Sequence, residues 1–462
     1  MAISLSTSVT TAIDDLRQIL GDRLLTTDAA REQHGQDESP LPPAPPDAVA
    51  YVRSTSDVCK VVKVCNRHHV PCIPFGAGTS LEGHVLATSG GIAIDMTEMN
   101  QILAVRVDDL DATVQAGVTR KSLNERLSKD GLFFPVDPGA DATLGGMAAT
   151  GASGTTTVRY GAMRENVLAL KVVLADGSVI DTARRARKSA AGYDLTRLIV
   201  GSEGTLGVIT EVTVRTYGIP EHIAGSMCHF PTVGNAVEAV IRTLQSGISV
   251  ARIEFLDELA IKSINDYSGS AHPVAPTLML EFHGTGQQVT EQMADVGEIA
   301  REFGSLAYRS GIGGRERTEI WRGRHDSFYA SLSLRPGAKA VTTDVCVPIS
   351  RLAECVVATR EDVDRLSLTA TMVGHVGDGN FHVLMLIDPE DPAEVAAMEE
   401  MTTRLVERAL AMDGTCTGEH GVGLRKMQSL AKELPGGVEV MRSIKRTLDP
   451  LNIMNPGKVL DL

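Results

Sequence analysis

Residues 74–84 read PFGAGTSLEGH, and this glycine-rich loop directly follows the apolar stretch 70–75, which has the pattern of a β-strand. Glycines let a backbone approach a diphosphate closely, and successive N–H groups in such a loop form an anion-binding nest. The spacing superficially fits the GxGxxG pattern, but position 81 is Leu81 and the following residues, GHVLATSGGIAIDM, lack the pattern of the helix that a Rossmann site requires. The stretch therefore predicts an anion-binding loop in a fold other than the Rossmann fold.

Two further glycine-rich segments follow along the chain. Residues 137–146 (DPGADATLGG) continue into 151–155 (GASGT), and residues 201–209 read GSEGTLGVI. Each segment by itself is more typical of an ordinary turn than of a ligand site. Their occurrence together in one region favours a bound ligand that carries a diphosphate.

The composition excludes several classes of function. At about 150 residues per domain the 462 residues suggest roughly three domains, and the net charge of −14 offers no basic surface for nucleic acid. No apolar run approaches the roughly 18 residues of a membrane-spanning helix, and the first residues, MAISLSTSVTTAIDD, lack the features of a secretory signal. Seven cysteines without a CxxC motif are typical of reduced thiols, so we expect a cytoplasmic protein.

The pattern along the chain predicts two regions of mixed helix and strand that meet at 217–220 (YGIP). In the second region, strands alternate with amphipathic helices, which favours a sheet with helices on one face. Its predicted strands are 225–230, 250–256, 276–283 and 339–347, and its predicted helices are 233–245, 290–303, 315–333 and 393–411. The tail, 444–462, is expected to be non-helical and docked on the rest.

Residues 371–386 (TMVGHVGDGNFHVLML) contain Asp378-Gly379 between two apolar stretches, which predicts a two-residue hairpin turn of type I′. Pairing about that turn sets His375 opposite His382. Directly opposed residues share a face of the sheet with Cβ atoms about 5 Å apart, and two imidazoles so placed suit a divalent metal. Either histidine alone is more typical of a core residue that is hydrogen-bonded to backbone; the opposed pair favours a metal.

Two other segments carry candidate site residues. Residues 415–423 (TCTGEHGVG) supply a carboxylate and a third imidazole, although an exposed Glu and a helix-capping His would explain them equally well. On the helix 315–333, Trp321, Arg324 and Phe328 share a face at spacing i, i+3, i+7, and an arginine turned inward beside an aromatic ring suits a substrate carboxylate. A solvated basic helix face is the better explanation for most of Arg315, Arg317, Arg322 and Arg335.

The order of the three glycine-rich segments resembles the FAD-binding domain of the vanillyl-alcohol oxidase (PCMH-type) superfamily. With the C-terminal motifs, residues 25–460 are similar to the FAD-linked D-lactate dehydrogenases (cytochrome type), the glycolate oxidase flavoprotein subunits and the D-2-hydroxyglutarate dehydrogenases. The resemblance implies an α+β fold with a two-part PCMH-type FAD-binding domain at 1–218. It also implies a substrate- and metal-binding cap domain at 219–440, with an antiparallel sheet covered by helices, and a segment at 441–462 that docks back on the FAD domain.

The resemblance also implies roles for individual residues. FAD is expected to be bound non-covalently. The resemblance implies that His375, His382 and Glu419 are metal ligands, a set that can bind Zn, Mn or Fe(II). It also implies that His420 is the catalytic base and that Arg324 binds the substrate carboxylate. The expected FAD contacts are Pro74, Gly76, Ala77, Gly78, Thr79, Ser80, Gly83, His84, Pro138, Thr143, Gly145, Gly146, Gly151, Ser153, Gly204, Val208, Ile209 and Asn455.

The implied activity is oxidation of a D-2-hydroxy acid, with D-lactate favoured because Thr342 stands where D-2-hydroxyglutarate dehydrogenases carry a lysine. Proton abstraction assisted by a metal and hydride transfer to N5 of FAD would deliver the electrons to cytochrome c, a quinone or an electron-transfer protein. A D-2-hydroxyglutarate dehydrogenase and a glycolate oxidase flavoprotein subunit that needs partner chains are the alternatives within the family. From another class, a transferase like the alkylglycerone-phosphate synthases would be expected to carry consecutive histidines, which are absent near His375 and His382. A homodimer and peripheral association with the inner membrane are left open.

Overall fold

The computed structural model describes residues 7–462, except for the side chains of Arg315, Glu316, Glu319 and His325. The chain forms two compact units. Unit 1 comprises the chain through Gly154, Gly161–Ile219 and Glu419–Leu462, and unit 2 comprises Thr155–Tyr160 and Pro220–Gly418. The return to unit 1 at Glu419 comes earlier than the predicted return at 441, because the turn that follows Glu419 is hydrogen-bonded to Glu203 in unit 1.

Unit 1 contains two main sheets. The first has the strand order Leu24–Leu25, Ala48–Tyr51, Ile92–Asp95, Cys72–Phe75, in which the last three strands are parallel. The second is antiparallel, with the order Ile102–Arg106, Asp111–Gln115, Val208–Arg215, Val167–Val173, Val179–Asp181. A short pair joins Leu132–Phe133 to Tyr217–Gly218. The strands Val167–Val173 and Val179–Asp181 pair across a turn that contains Asp176 and Gly177.

The helices of unit 1 follow from local signals in the sequence. Thr55–His68 begins where the Ser54 hydroxyl accepts the N–H of Asp57 and ends at His69 with φ +54. It buries an apolar face that starts at Val58 and ends at Cys65. This helix and Thr7–Leu20 cover the first sheet. The other helices are Asp28–Gln33, Arg120–Leu127, Leu144–Thr150, Met163–Asn166, Leu195–Ile199, Met427–Glu433 and Pro435–Leu448.

Unit 2 is built on one antiparallel sheet. Its strand order is Ala307–Ile312, His222–His229, Thr277–Gly284, Val250–Leu256, Thr369–Gly374, Asn380–Ile387, Lys339–Thr342, and Val345–Cys346 also pairs with Asn380–Ile387. The predicted strand 339–347 is therefore two strands. The helices are Thr157–Tyr160, Val233–Gln245, Glu258–Ser268, Gly286–Glu302, Gly314–Ser333, Leu352–Arg365 and Pro392–Ala411. Together the two units confirm the predicted α+β class.

The helices of unit 2 cover both faces of its sheet, which corrects the expectation of one covered face. Val233–Gln245, Gly286–Glu302 and Leu352–Arg365 pack on the face that contains Phe255 and Phe282. Glu258–Ser268 and Gly314–Ser333 pack on the opposite face, which contributes Met227 and Met279 to a second apolar cluster. The second face also carries buried charged residues, and these matter for the site.

The C-terminal segment is partly helical, contrary to the expectation for 444–462. The helix Pro435–Leu448 includes the start of that range, and only the residues after Leu448 lack helix and strand. These last residues dock within unit 1: the N–H of Cys72 donates to the Ile453 carbonyl (2.7 Å), and the N–H of Asn455 donates to the Cys72 carbonyl (2.8 Å). Within residues 7–462, no helix combines the length and the apolar character needed to cross a membrane.

Candidate functional site

Unit 1 encloses a deep pocket of about 1230 Å³, including its open mouth, between the three glycine-rich segments. Fifteen of the eighteen predicted FAD contacts line this pocket. The other three do not: Gly83 is turned towards Leu41, Gly151 ends the helix Leu144–Thr150 with φ +69, and Val208 is buried in the core. The lining also includes apolar residues that are not among the predicted FAD contacts, namely Phe75, Leu81, Val85, Met96, Ala116, Ala140, Ala142, Met147, Ala149 and Ala152.

Close packing explains the glycines of the first two loops. A Cβ on Gly76 would lie 2.5 Å from the Thr143 hydroxyl, which accepts the N–H of Gly146 and so begins the helix Leu144–Thr150. A Cβ on Gly145 would lie 2.6 Å from the Cβ of Ala116. The absence of a side chain at Gly76 therefore lets the two loops approach each other, and its absence at Gly145 lets the second loop approach Ala116.

The pocket residues fit FAD. Glycine-rich backbone at one part of the lining suits a diphosphate, and the apolar residues suit a flat aromatic ring system. The buried Nδ1 atom of His84 has no hydrogen-bond partner among the described residues, although His84 lines the pocket. A polar atom buried in that way is expected to be satisfied by a ligand.

Glu419 and His420 also line this pocket. The Ser153 hydroxyl donates to the Glu419 carboxylate (2.7 Å). The Nδ1 atom of His420 lies 3.7 Å from an oxygen of Glu82, a fully buried carboxylate. Burial would raise the pKa of the Glu82 carboxyl, but the neighbouring His420 ring, Lys426 and Arg425 lower it below its usual value. Glu82 is therefore an anion that orients the His420 ring.

Glu203 anchors the turn that carries these two residues. Its carboxylate accepts the N–H groups of Val422 (2.7 Å) and Gly423 (2.8 Å), and it lies 3.1 Å from Nε2 of His84. The amide of Asn455 donates to the backbone carbonyls of His84 (3.0 Å) and Glu203 (2.8 Å). The first loop, the third glycine-rich segment and the turn at 419–423 are thus joined by buried hydrogen bonds.

Unit 2 brings His375 and His382 together, but by a register that differs from the predicted one. His382 pairs with Val373, not with His375, and the loop spans 375–379. Gly379 takes φ +80 but Asp378 has no positive φ, so the turn is not type I′. The register differs from the predicted one by two residues, which preserves the face, and the two rings lie diagonally with centroids 5.4 Å apart.

Each histidine of the pair uses Nδ1 for a contact within unit 2. Nδ1 of His375 donates to Glu254 (2.6 Å), and Nδ1 of His382 donates to the Thr343 carbonyl (3.1 Å). Metal-binding histidines commonly hold the other ring nitrogen in this way, which leaves Nε2 directed at the metal. The geometry of the pair therefore fits two ligands of a divalent metal.

Arg324 contacts the same carboxylate as His375. Its Nε donates to Glu254 (2.8 Å), and one terminal nitrogen donates to Ser327 (3.3 Å). Burial would raise the pKa of the Glu254 carboxyl, but His375 and Arg324 lower it below the usual value. Glu254 is thus a buried anion that fixes the positions of two predicted site residues.

Phe328 does not share the buried face, contrary to the prediction. It is 48% exposed, whereas Trp321 is 2% exposed. The buried side of Gly314–Ser333 follows small residues such as Ser327 and Ser331, and the Ser331 hydroxyl forms a hydrogen bond with Thr371 (2.9 Å) in the sheet. The Phe328 ring is therefore at the surface, while Trp321 is buried.

Sequence reasoning missed the three buried carboxylates Glu82, Glu203 and Glu254. Glu254 stands in the otherwise apolar run Ile253–Leu256 of a central strand, and an isolated acid in such a run is a detectable signal. Glu82 and Glu203 lie inside the glycine-rich segments, where an acidic residue looks like an ordinary loop residue.

Two family models match the chain, one in each half of the sequence. Residues 46–183 match the FAD binding domain model, and residues 219–459 match the model of the C-terminal domain of FAD linked oxidases. The pocket and these two matches define an FAD-dependent oxidoreductase. The solved structure of p-cresol methylhydroxylase with substrate bound has a similar fold, with a TM-score of 0.80 and 18% identity over 99% of this chain and 98% of that one.

Two relatives with high sequence identity to this chain are D-lactate dehydrogenases. The probable mitochondrial D-lactate dehydrogenase of Danio rerio is 50% identical over 98% of this chain and 93% of its own length. The mitochondrial D-lactate dehydrogenase (cytochrome) of Arabidopsis thaliana is 47% identical over 97% of this chain and 80% of its own length. The chain belongs to the family of FAD-linked D-lactate dehydrogenases (cytochrome type) and glycolate oxidase flavoprotein subunits.

Proposed function

We propose that this protein oxidises D-lactate to pyruvate. The observation that carries the proposal is the near-full-length similarity to D-lactate dehydrogenases at 50% and 47% identity. Thr342 further supports a substrate with a single carboxylate. Threonine is uncharged, so position 342 offers no cation to a second substrate carboxylate. Electrons would pass from the flavin to cytochrome c, a quinone or an electron-transfer protein.

His420 is the proposed catalytic base. Its Nδ1 side faces the buried anion Glu82, so Nε2 is the nitrogen left to accept the hydroxyl proton of the substrate. The contact with Glu82 would also stabilise the imidazolium that forms when the proton is taken. FAD, when bound, supplies the hydride acceptor.

Arg324 is the proposed binding residue for the substrate carboxylate. Its hydrogen bond to Glu254 through Nε holds the guanidinium plane in one orientation, and a fixed plane favours the paired hydrogen bonds that a carboxylate accepts. Because Arg324 is only partly buried, at 21% side-chain exposure, a small polar substrate can approach it.

We further propose that His375, His382 and Glu419 bind one divalent metal ion, which would lower the pKa of the substrate hydroxyl. Two histidines and one carboxylate accept Zn, Mn or Fe(II). The support is the paired rings, the Nδ1 contacts that leave both Nε2 atoms as possible metal ligands, and the Ser153 hydrogen bond that holds Glu419. Cytoplasmic location, peripheral membrane association and a homodimer stay predictions.

A substrate panel tests the proposal. Purified FAD-loaded protein should lose its yellow flavin absorbance with D-lactate under anaerobic conditions, but not with L-lactate. Glycolate, D-2-hydroxybutyrate and D-2-hydroxyglutarate should reduce an artificial dye more slowly. Faster turnover of D-2-hydroxyglutarate or glycolate would contradict the proposed substrate, and reduction by L-lactate alone would contradict the stereochemistry.

A further inference from the structure

His84 is a buried, pocket-lining histidine that the proposed reaction does not yet use. The residue is 5% exposed. A Cβ on Gly421 would lie 2.7 Å from Nε2 of His84, and Gly421 directly follows the proposed base His420. His84 therefore lies close to the turn at 419–423, whose residues Glu419 and His420 line the same pocket.

The surroundings of His84 favour a charged ring. Burial by itself lowers the pKa of an imidazole, but the Glu203 carboxylate at 3.1 Å raises the pKa of His84 above its usual value. Glu82 and Asp37 act in the same direction from farther away. Lys458 also interacts with the Glu203 carboxylate, and burial lowers the pKa of Lys458 to about 8.

The two ring nitrogens of His84 have different surroundings. Nε2 lies 3.1 Å from a Glu203 oxygen, an ion-pair contact without hydrogen-bond geometry, and the Glu203 oxygens accept the N–H groups of Val422 and Gly423. Nδ1 is buried and has no hydrogen-bond partner among the described residues. A buried N–H without an acceptor is costly, so the pocket is built for a ligand atom that accepts from Nδ1.

We propose that His84, held as an imidazolium by Glu203, donates Nδ1–H to the bound flavin and stabilises its reduced form electrostatically. A hydride brings two electrons and one proton to the neutral ring system, so reduction leaves one net negative charge there. His84 supplies a positive charge in a site with little water, where such an interaction is strong. Glu203 is the positioning residue. The proposal depends on FAD occupying this pocket but not on the substrate or the metal.

The midpoint potential of the bound flavin tests this role without substrate. FAD-loaded wild-type protein, His84→Gln and His84→Lys would be reduced by a chemical reductant against a dye of known potential. We expect His84→Gln to lower the equilibrium constant for reduction at least tenfold, which is about 30 mV for a two-electron couple. His84→Lys, which keeps a positive charge, should stay within threefold of wild type.

Two controls separate the proposed role from its alternatives. His68→Gln removes a histidine that also pairs with a carboxylate, Asp15 (2.9 Å), but lies outside the pocket lining, and it should leave the potential unchanged. The double variant His84→Gln/Glu203→Gln also removes the negative charge that the single variant leaves without its imidazolium partner. It should keep a lowered potential; recovery of the wild-type value would mean that the uncompensated charge of Glu203, not the lost imidazolium, caused the shift.

The proposal is overturned if His84→Gln retains FAD and has the wild-type potential. If His84→Gln loses FAD, the potential of His84→Lys decides: a value far below wild type contradicts an electrostatic role. Failure of D-lactate to reduce a protein whose His84 variants show the expected shift would contradict the proposed function alone.

Discussion

The substitution Glu254→Gln tests whether Glu254 positions residues of the proposed site in addition to stabilising unit 2. The carboxylate is fully buried and accepts hydrogen bonds from Nδ1 of His375 (2.6 Å) and Nε of Arg324 (2.8 Å). Glutamine keeps the shape and one acceptor oxygen, but its NH2 group then meets a donor. One charge-assisted hydrogen bond is lost and the remaining one is weakened, so we expect the free energy of unfolding to fall by about 2–4 kcal/mol.

The expected loss of activity is larger than this destabilisation would produce in a folded protein. A partner that orients a metal-binding histidine contributes about 10- to 100-fold to metal affinity or activity. We expect Glu254→Gln to lower metal content, measured by elemental analysis, and to raise the KM for D-lactate because the guanidinium of Arg324 is no longer fixed. The FAD content should stay at the wild-type level, since the pocket residues of unit 1 are unchanged.

Glu281→Gln is the matched control. Glu281 is 1% exposed and accepts from Nε2 of His283 (2.8 Å) and Nε of Arg317 (2.6 Å), so it repeats the His–Glu–Arg arrangement in the same sheet. The chain has a single tryptophan, Trp321, which is buried in unit 2, so urea unfolding followed by its fluorescence reports on this unit. Both variants should lose similar stability. An equal loss of kcat/KM in both would refute the reasoning, because general destabilisation would then explain the effect.

Further changes have equally specific outcomes. His420→Gln should reduce flavin reduction by D-lactate at least a hundredfold while FAD absorbance is retained; loss of FAD instead would make His420 structural. Gly76→Ala places a methyl group 2.5 Å from the Thr143 hydroxyl and should weaken FAD retention, whereas Gly436→Ala, which meets nothing within 4 Å, should not. Chelator treatment should abolish turnover, and added Zn, Mn or Fe(II) should restore it; full turnover of metal-free protein would remove the metal from the mechanism. Burial lowers the pKa of His229 to about 4, so the unfolded state binds more protons between about pH 4 and 6.5, and stability should fall on acidification through this range. His229→Gln should show a smaller fall; an unchanged pH dependence would contradict the assignment.

The local motifs predicted more of unit 1 than of unit 2. The glycine-rich segments carry their own geometric requirement, and Gly76, Gly145 and most of the other predicted contacts line one pocket. Alternation of apolar residues also placed most strands and helices of unit 2. The covering of the second sheet face was missed, because a strand such as Val250–Leu256, buried on both faces, loses the alternation that marks a solvent-facing side.

The hairpin shows why an incorrect register can still place the right residues together. Asp-Gly between apolar strands favours a two-residue turn, but the first residue would need positive φ, and only Gly379 adopts it. Sheet faces alternate with a period of two, so a shift by two residues moves His382 from opposite His375 to diagonal from it on the same face. A shift by one residue would have separated the rings.

Buried carboxylates explain how an acidic chain can build a site for an anionic substrate. Glu82 faces His420, Glu203 faces His84, and Glu254 faces both His375 and Arg324, so each anion holds a donor of the proposed site in place. With a net charge of −14 the overall field repels a carboxylate, and attraction must come from cationic groups close to the substrate. An unpaired imidazole in a dry pocket would be neutral, because burial disfavours its charged form. The buried carboxylates add to the negative charge of the chain, but they also keep the neighbouring cationic side chains charged and oriented. Each carboxylate is far from its partner in the sequence, so no single motif contains both residues of a pair.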